Sequence, residues 1–438
     1  MHPRLVFLGL DGLSWSLAQN LANQGLLPNL ATIINSPGCY PIHAELPELS
    51  PVNWTSLFTA SSPGEHGVYG FTRIDPHNYT LEFTDFTHVS GTTIFERLAH
   101  KNIFSKVLNM PNLGPVQPMP AIAVAGFPAQ GLLGNTYPPV LASILSEHNY
   151  TIEADTLRGA DDPLFLLQDL HRSLRCRQKL LDLFWPDLAW DMFMLVLTET
   201  DRLGHFLQPA LLEDDHPWRS TCLEFMSAWD KIIGNVLERY TNLPDPKRLI
   251  MMADHGFTSL EQEVDLNVWL VQNNLLRLSR TPKNEWDTQC IGPQSLAFAL
   301  DPGRIYLHTQ ERFAQGRLGR AEARRLADDL AQALANLTWK GKKIIAHVHH
   351  GQDLYHGPLA AQAPDLVLEP QPGFDLKGKM GRQDMFDHFG RQGMHTATDV
   401  FYYDSAQENA QRPTGVGRNI LQHFGINTST ITSLNHVH

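Results

Sequence analysis

Short continuous apolar runs recur along the chain at residues 5–10, 121–125, 192–197, 249–252 and 366–368. Runs of this length without polar alternation are the pattern of strands buried on both faces, as in a parallel sheet. Between them the apolar period lengthens to that of helices. Residues 14–24 follow the first run, residues 93–101 place Ile94 and Leu98 one turn apart, and residues 164–182 form a third helical stretch. Residues 218–240 carry Phe225, Trp229, Ile232, Ile233, Val236 and Leu237 on one stripe. Alternation of strand and helix predicts an α/β fold with a mostly parallel sheet. In such sheets, binding sites lie beyond the carboxyl ends of the strands.

The pattern changes after Phe257. Residues 266–276 read as a short helix followed by polar coil, residues 296–300 as an apolar patch, and residues 304–307 as a strand after the turn Asp301-Pro302-Gly303. Residues 319–337 are amphipathic, with Leu326, Leu330, Leu334 and Leu337 on one face. We therefore expect residues 270–352 to form a lid or insertion, and residues 1–269 with 353–438 to form the core, which the chain rejoins at 365–368. No internal repeat or low-complexity tract interrupts this plan.

Composition narrows the function. A formal net charge of −12 argues against nucleic acid as the main partner, because phosphate backbones select basic surfaces. It leaves a small phosphorylated substrate open, since bound divalent cations would dominate the local field. The four cysteines are scattered with no CxxC pair, which speaks against structural zinc and for free thiols in a reducing compartment. The opening MHPRLVFLGLDGL reads as a first strand rather than a signal peptide, and no apolar stretch reaches the roughly 20 residues that span a bilayer. The expectation is a cytoplasmic protein without a membrane partner; the oligomeric state is open.

Chemistry enters through short polar islands at the ends of apolar runs. They are Asp11 in LVFLGLDGL, Ser50 in LSPVNWTS, Asp201 and His205 in VLTETDRLGH, Asp254 and His255 in LIMMADHGF, and His395 in GRQGMHT. Asp201 and His205, four apart, lie on one helical face and can reach one ion, though such pairs also occur as surface ion pairs. Asp11 and Asp254 could each be a helix N-cap. Ser50, ahead of Pro51, reads as an N-cap with Pro at the first helical position, or as a nucleophile at the positive end of the helix dipole. His395 competes with His388 among 21 histidines. Three Asp, three His and a Ser are nevertheless the inventory for two divalent metals and a nucleophile.

Taken in order, LGLDG, SPVNWTSLFTASSPGEHGVYGF, TETDRLGH, ADHGF and the late GMH resemble the alkaline phosphatase superfamily, in its type I phosphodiesterase/nucleotide pyrophosphatase branch, over nearly the whole chain. The resemblance implies an alkaline-phosphatase-like three-layer α/β/α fold with a lid insertion. It also implies two divalent ions, zinc or else manganese, which suits a mixed N/O ligand set. Asp201, His205 and His395 would hold one ion; Asp11, Asp254 and His255 would hold the other, beside Ser50 as nucleophile and metal-contacting hydroxyl. Asn53 would donate to a phosphoryl oxygen. The implied activity is a phosphohydrolase working through phosphoserine, with phosphodiester or nucleotide-like substrates.

The match has departures. Ser50 stands where many phosphodiesterase relatives have Thr, and Ala60 where Gly is usual. The sulfatase signature C-x-P-x-R is absent. A phosphomutase or phosphotransferase similar to cofactor-independent phosphoglycerate mutase is an alternative, but that enzyme carries a large domain where residues between Ser50 and Asp201 here read as core elements. A catalytically inactive relative is a further alternative, opposed by the presence of all six ligands and the hydroxyl. Arg202 and Arg73 are candidates for a phosphate-contacting cation. Trp54, Tyr69 and Phe71 could line a second substrate group or belong to the core.

Overall fold

The computed structural model describes residues 3–428. The chain divides into two compact units: one takes in Met1–Ser61, Asp85–Thr258 and Gly390–His438, the other Ser62–Thr84 and Ser259–Phe389. The second unit is wider than the insertion expected at 270–352. It takes in residues 62–84 from just after the Ser50 helix, and it keeps residues 353–389.

The first unit is built on an eight-stranded sheet in the order Cys39–Ile42, Val400–Asp404, Lys247–Met252, Arg4–Leu10, Met192–Leu197, Ser105–Met110, Ala121–Ala125 and Thr136–Tyr137. The five strands from Lys247–Met252 to Ala121–Ala125 run parallel; the outer strands are antiparallel. Helices cover it in separate sets. Ser50–Thr59 packs with Ile94–Ala99 and Pro413–His423, while Pro163–Phe184, Glu199–Leu212 and Arg219–Thr241 pack on one another. The fold is the expected α/β class with a large, mostly parallel central sheet.

Four of the five apolar runs fall on strands of this sheet. The fifth does not: Leu366–Pro370 lies in the second unit, antiparallel to Arg304–Leu307 and Ile345–His350. An apolar run reports burial on both faces but not which sheet buries it. Conversely, Ser105–Met110 is a central strand that the apolar pattern hides, because Lys106 and Asn109 interrupt it. Both side chains are buried and answered: Lys106 Nζ reaches Asp187 at 2.6 Å and the Phe184 carbonyl at 2.8 Å, and Asn109 Nδ2 donates to the Val196 carbonyl at 2.9 Å.

The second unit has its own apolar core, from Val264 and Leu270 through Phe298 and Leu330 to Leu376. Its four-stranded sheet runs Ala297–Leu300, Arg304–Leu307, Leu366–Pro370, Ile345–His350, and the amphipathic stretch forms the helix Arg320–Ala335, with Leu330 and Leu334 buried. All four cysteines are free and buried. Among the described residues, no helix is long and apolar enough to cross a membrane.

One buried ion pair ties the strand that delivers Asp254 to the strand that follows His395. Arg248 Nε donates to Asp404 Oδ1 at 2.9 Å, and a second guanidinium nitrogen reaches Asp404 Oδ2, with both side chains almost wholly buried. Removing one member leaves the other's charge without compensation in a dry interior. Arg248→Met should therefore lower unfolding stability by about 3–5 kcal/mol in a urea titration, and adding Asp404→Leu should recover much of the loss. An unchanged urea midpoint in the single variant would show the pair to be unimportant.

Candidate active site

Three neighbouring parallel strands end together. Leu10 is level with Leu197, and Gly9 with Met252, so the residues that follow each strand emerge at one edge of the sheet. Asp11 follows the first, Asp201 and His205 lie on the helix Glu199–Leu212 after the second, and Asp254 and His255 follow the third. Two glycines let this edge close up. A Cβ on Gly9 would stand 2.7 Å from the Trp54 ring, so its absence lets the Ser50–Thr59 helix lie against the sheet. Gly12 adopts φ +69°, and a Cβ there would meet the Asp201 backbone at 3.0 Å. His395 arrives on the short strand Gly393–Thr396, which pairs with Gly256–Ser259. The structure thus gathers all seven residues singled out in the sequence.

Their orientation follows one rule. Each carboxylate gives one oxygen to the protein and turns the other inward. Asp11 Oδ2 accepts from Trp54 Nε1 at 3.2 Å, Asp254 Oδ1 from the Gly12 backbone N–H at 3.0 Å, and Asp201 Oδ2 from Arg202. Two imidazoles are fixed likewise. His255 Nδ1 lies 3.1 Å from the Gly256 carbonyl and His395 Nδ1 2.9 Å from the Glu48 carbonyl. A carbonyl only accepts, so each Nδ1 carries the proton and each Nε2 presents a lone pair to the cluster.

The inward atoms form two overlapping groups. Asp201 Oδ1, His205 Nε2 and His395 Nε2 are separated by 3.1–3.4 Å. Ser50 Oγ lies 3.4 Å from Asp11 Oδ1 and 3.3 Å from His255 Nε2, which is itself 3.3 Å from Asp254 Oδ2 and 3.8 Å from Asp11 Oδ1. Ligands bound at about 2.0–2.1 Å in a tetrahedron stand roughly 3.3 Å apart, so these spacings fit divalent-metal coordination. His255 also lies 3.8 Å from Asp201 Oδ1 and stacks on His395 at 3.6 Å, so it joins both groups: Asp201, His255 and His395 offer ligand atoms within 4.8 Å of one another, as do Asp11, Asp254 and His255. Asp254 Oδ2 and His205 Nδ1 are buried and accept or donate no hydrogen bond among the described residues.

Electrostatics point the same way. Burial, followed by the charges of Asp254 and Asp201, raises the Asp11 carboxyl well above its usual range. Burial and Asp201 push Asp254 up to about 6. Burial also disfavours the Asp201 carboxylate, but His205 and Arg202 outweigh it and hold the group well below the ordinary value; of the two, only Arg202 is charged at every pH. All three imidazoles are pushed down by burial, His255 to about 4. Neutral imidazole is the metal-binding form, and closely set carboxylates with neutral histidines lack positive charge that a divalent cation supplies.

Several sequence readings change in detail. Ser50 is not the N-cap. Leu49 holds that place in an extended conformation and Ser50 is the first helical residue, which frees its hydroxyl to face Asp11 and His255. Asn53 does not face the cluster with a free amide: Nδ2 donates to the Leu49 carbonyl at 3.0 Å and the Glu45 carbonyl at 3.3 Å, and Oδ1 accepts from the Glu45 N–H at 2.7 Å. It braces the loop that leads into Ser50. His388 is exposed in the second unit, whereas His395 lies in the cluster. Trp54 is fully buried and orients Asp11 rather than lining an open substrate space. Tyr69 is packed within the second unit, its hydroxyl on the Leu359 carbonyl at 2.7 Å, and Arg73 pairs there with Glu82 at 3.7 Å. Arg202 is mostly buried and bound to acids. Ser14 and Thr200, missed from sequence, hold the site's backbone: Ser14 Oγ donates to the Phe257 carbonyl at 2.8 Å, and Thr200 Oγ1 to the Asp11 carbonyl at 2.5 Å. Small hydroxyls next to acidic islands carried no periodic signal by which to find them.

Comparison with known proteins agrees with this architecture. Phosphonoacetate hydrolase from Sinorhizobium meliloti 1021, solved with phosphonoformate, superposes with a TM-score of 0.63 at 15% identity, covering 96% of each chain. Murine ectonucleotide pyrophosphatase/phosphodiesterase 5 superposes with a TM-score of 0.57 at 12% identity, covering 97% of this chain and 95% of that one. The human counterpart gives a TM-score of 0.56 at 12% identity, with 97% and 95% coverage. No curated protein sequence matches the chain. The profile of the type I phosphodiesterase/nucleotide pyrophosphatase family, by contrast, matches residues 5–397, a span that contains every residue of the cluster. The chain therefore belongs to the type I phosphodiesterase/nucleotide pyrophosphatase family, whose members are hydrolases acting on phosphate esters.

Proposed function

We propose that the protein is a two-metal phosphohydrolase in which Ser50 is the nucleophile and phosphodiesters or nucleotide-like compounds are the substrates. The observation that carries this reading is the inward convergence of one atom from each of Asp11, Asp201, Asp254, His205, His255 and His395, with Ser50 Oγ 3.3–3.4 Å from two of them. Asp201, His205 and His395 would hold one ion, and Asp11, Asp254 and His255 the other; zinc suits this N/O donor set and manganese is the next candidate. Such ions act as Lewis acids that activate a hydroxyl and neutralise developing charge on phosphoryl oxygens.

The chain's own residues do the rest. Ser50 Oγ stands 3.4 Å from Asp11 Oδ1 and 3.3 Å from His255 Nε2, the two atoms that would ligate the ion, so the hydroxyl would share that ion and release its proton to solvent as Oγ forms the bond to phosphorus and the ester oxygen departs. Ser50 begins a ten-residue helix, whose positive end favours both the serine oxyanion and the phosphoryl group. Water then cleaves the phosphoserine, restoring the hydroxyl and releasing the phosphate product. Asn53 acts here by fixing the 45–50 loop and not by touching phosphate.

The preference for diesters or nucleotides rests on the family and on a neighbour: the murine phosphodiesterase 5 was solved as an inactive variant in complex with AMP. The phosphonoacetate hydrolase was solved with phosphonoacetate, which makes a phosphonate the second substrate class to try. Four unpaired thiols support a reducing, cytoplasmic setting.

Ser50→Ala should abolish turnover of nitrophenyl phosphate esters while metal analysis still finds about two ions per chain. Undiminished turnover in that variant would rule out the covalent mechanism. Asp254→Asn should lower metal occupancy; unchanged occupancy and rate would remove Asp254 from the site. On a panel of bis-nitrophenyl phosphate, nitrophenyl phosphate and phosphonoacetate, the diester should give the highest kcat/KM. A higher value for either of the others would reassign the substrate class.

A further inference from the structure

The three inward-facing carboxylates are tethered unequally. Asp11 and Asp254 are each held by a neutral donor, an indole N–H and a backbone N–H. Asp201 is held by a guanidinium, and that guanidinium is itself clamped. Arg202 Nε donates to Glu153 Oε2 at 2.9 Å, while Glu153 Oε1 accepts from Thr198 Oγ1 at 2.9 Å. Glu153 therefore grips both Thr198, at the entry to the Glu199–Leu212 helix, and Arg202 beside Asp201. The Arg202 guanidinium lies over the Phe127 ring at 4.3 Å, and the Arg202 and Glu153 side chains are only 12% and 17% exposed.

A second Arg–Glu pair holds the same turn from behind. Fully buried Arg177 places Nε 2.9 Å from Glu199 Oε1 and donates to the Tyr150 hydroxyl at 2.8 Å and to Thr198 Oγ1 at 3.3 Å. Residues 198–202 are thus fixed on both sides. Among the described residues, Arg202 is the member of residues 198–202 and their clamps that passes this order on to a cluster side chain, through Asp201 Oδ2.

We propose that Arg202, set by Glu153, is a positioning residue: it ties up Asp201 Oδ2, so that Oδ1 alone serves the ion shared with His205 and His395. The inference rests on the reading of Asp201 as a metal ligand. Its physical basis is that a planar guanidinium can bond two different carboxylates in fixed directions, which an ammonium cannot reproduce, and that groups orienting a ligand tune metal affinity. With two of its nitrogens on Glu153 and Asp201, Arg202 acts on the ion's ligand and not on the substrate.

The test uses the full chain loaded with zinc, in the variants Arg202→Met, Arg202→Lys, Glu153→Gln and Asp201→Asn. Zinc affinity is read by competition with a chromophoric chelator, alongside Tm and a kcat-against-KM split on bis-nitrophenyl phosphate. In Arg202→Met one zinc should bind about 10- to 100-fold more weakly while the other is unchanged, and kcat should fall with little change in KM. Arg202→Lys should recover only part of the affinity, and Glu153→Gln should weaken the same zinc by less. If Arg202→Met does not fold, the lysine and glutamine variants carry the same measurement. Unchanged zinc affinity with a raised KM would make Arg202 a substrate contact and overturn the proposal. A lowered Tm with unchanged zinc affinity would make it merely structural. Weakened zinc in Asp201→Asn but not in Arg202→Met overturns this inference alone; tight zinc in both overturns the ligand reading and this inference with it.

Discussion

Like charge packed out of water is the constraint on which the site depends. Asp11, Asp201 and Asp254 are each at most 2% exposed, and the charges of Asp201 and Asp254 both bear on Asp11. Buried carboxylates that close oppose one another's ionisation unless positive charge is supplied. The fold supplies positive charge directly at Asp201 through Arg202, and burial disfavours protonation of the histidines. What remains is a set of donor atoms with the spacing and charge of a divalent-metal site. The same atoms in solvent, free to rotate and solvate separately, would have none of these properties.

The scaffold converts that constraint into geometry. Three adjacent parallel strands end in register, so their first loop residues share one edge without any long-range adjustment of side chains. Short hydrogen bonds then choose which oxygen of each carboxylate faces inward: an indole, a backbone N–H and a guanidinium. Carbonyls make the corresponding choice for two imidazoles. The Ser50 hydroxyl joins because its helix packs over Gly9, where a side chain would collide with Trp54. Strand register sets positions to within a residue; the second layer of hydrogen bonds sets atoms.

How far the chain could be read without its fold varies by element, for physical reasons. The strands Arg4–Leu10, Ala121–Ala125, Met192–Leu197 and Lys247–Met252 were legible because a strand buried on both faces leaves an unbroken apolar run. Ser105–Met110 was not, because Lys106 is neutralised by Asp187 from a distant loop, a partner that no local pattern reveals. The strand at residues 366–368 was legible as a strand but not as a member of a particular sheet. Asn53 was read as a phosphate donor from its place in a motif, yet its amide answers the backbone of its own loop. Arg202 is a candidate phosphate contact by its place beside Asp201, and the fold holds it between two acids.

The sequence by itself determined the inventory and the order: three Asp, three His and a Ser, with Asp11, Asp201, Asp254 and His255 placed just after apolar runs, in a succession of motifs that resembles the type I phosphodiesterase/nucleotide pyrophosphatase family. Those properties are local, since a side chain's chemistry and its position relative to a strand end are written within a few residues. Only the tertiary structure decided which histidine completes the cluster, which oxygen of each carboxylate is free, and that Ser50 is a helical residue rather than a cap. These depend on contacts between residues up to 347 positions apart, such as His395 with the Glu48 carbonyl. Hydrogen-bond direction is a property of the partner as much as of the residue, and the partner is known only once the chain has folded.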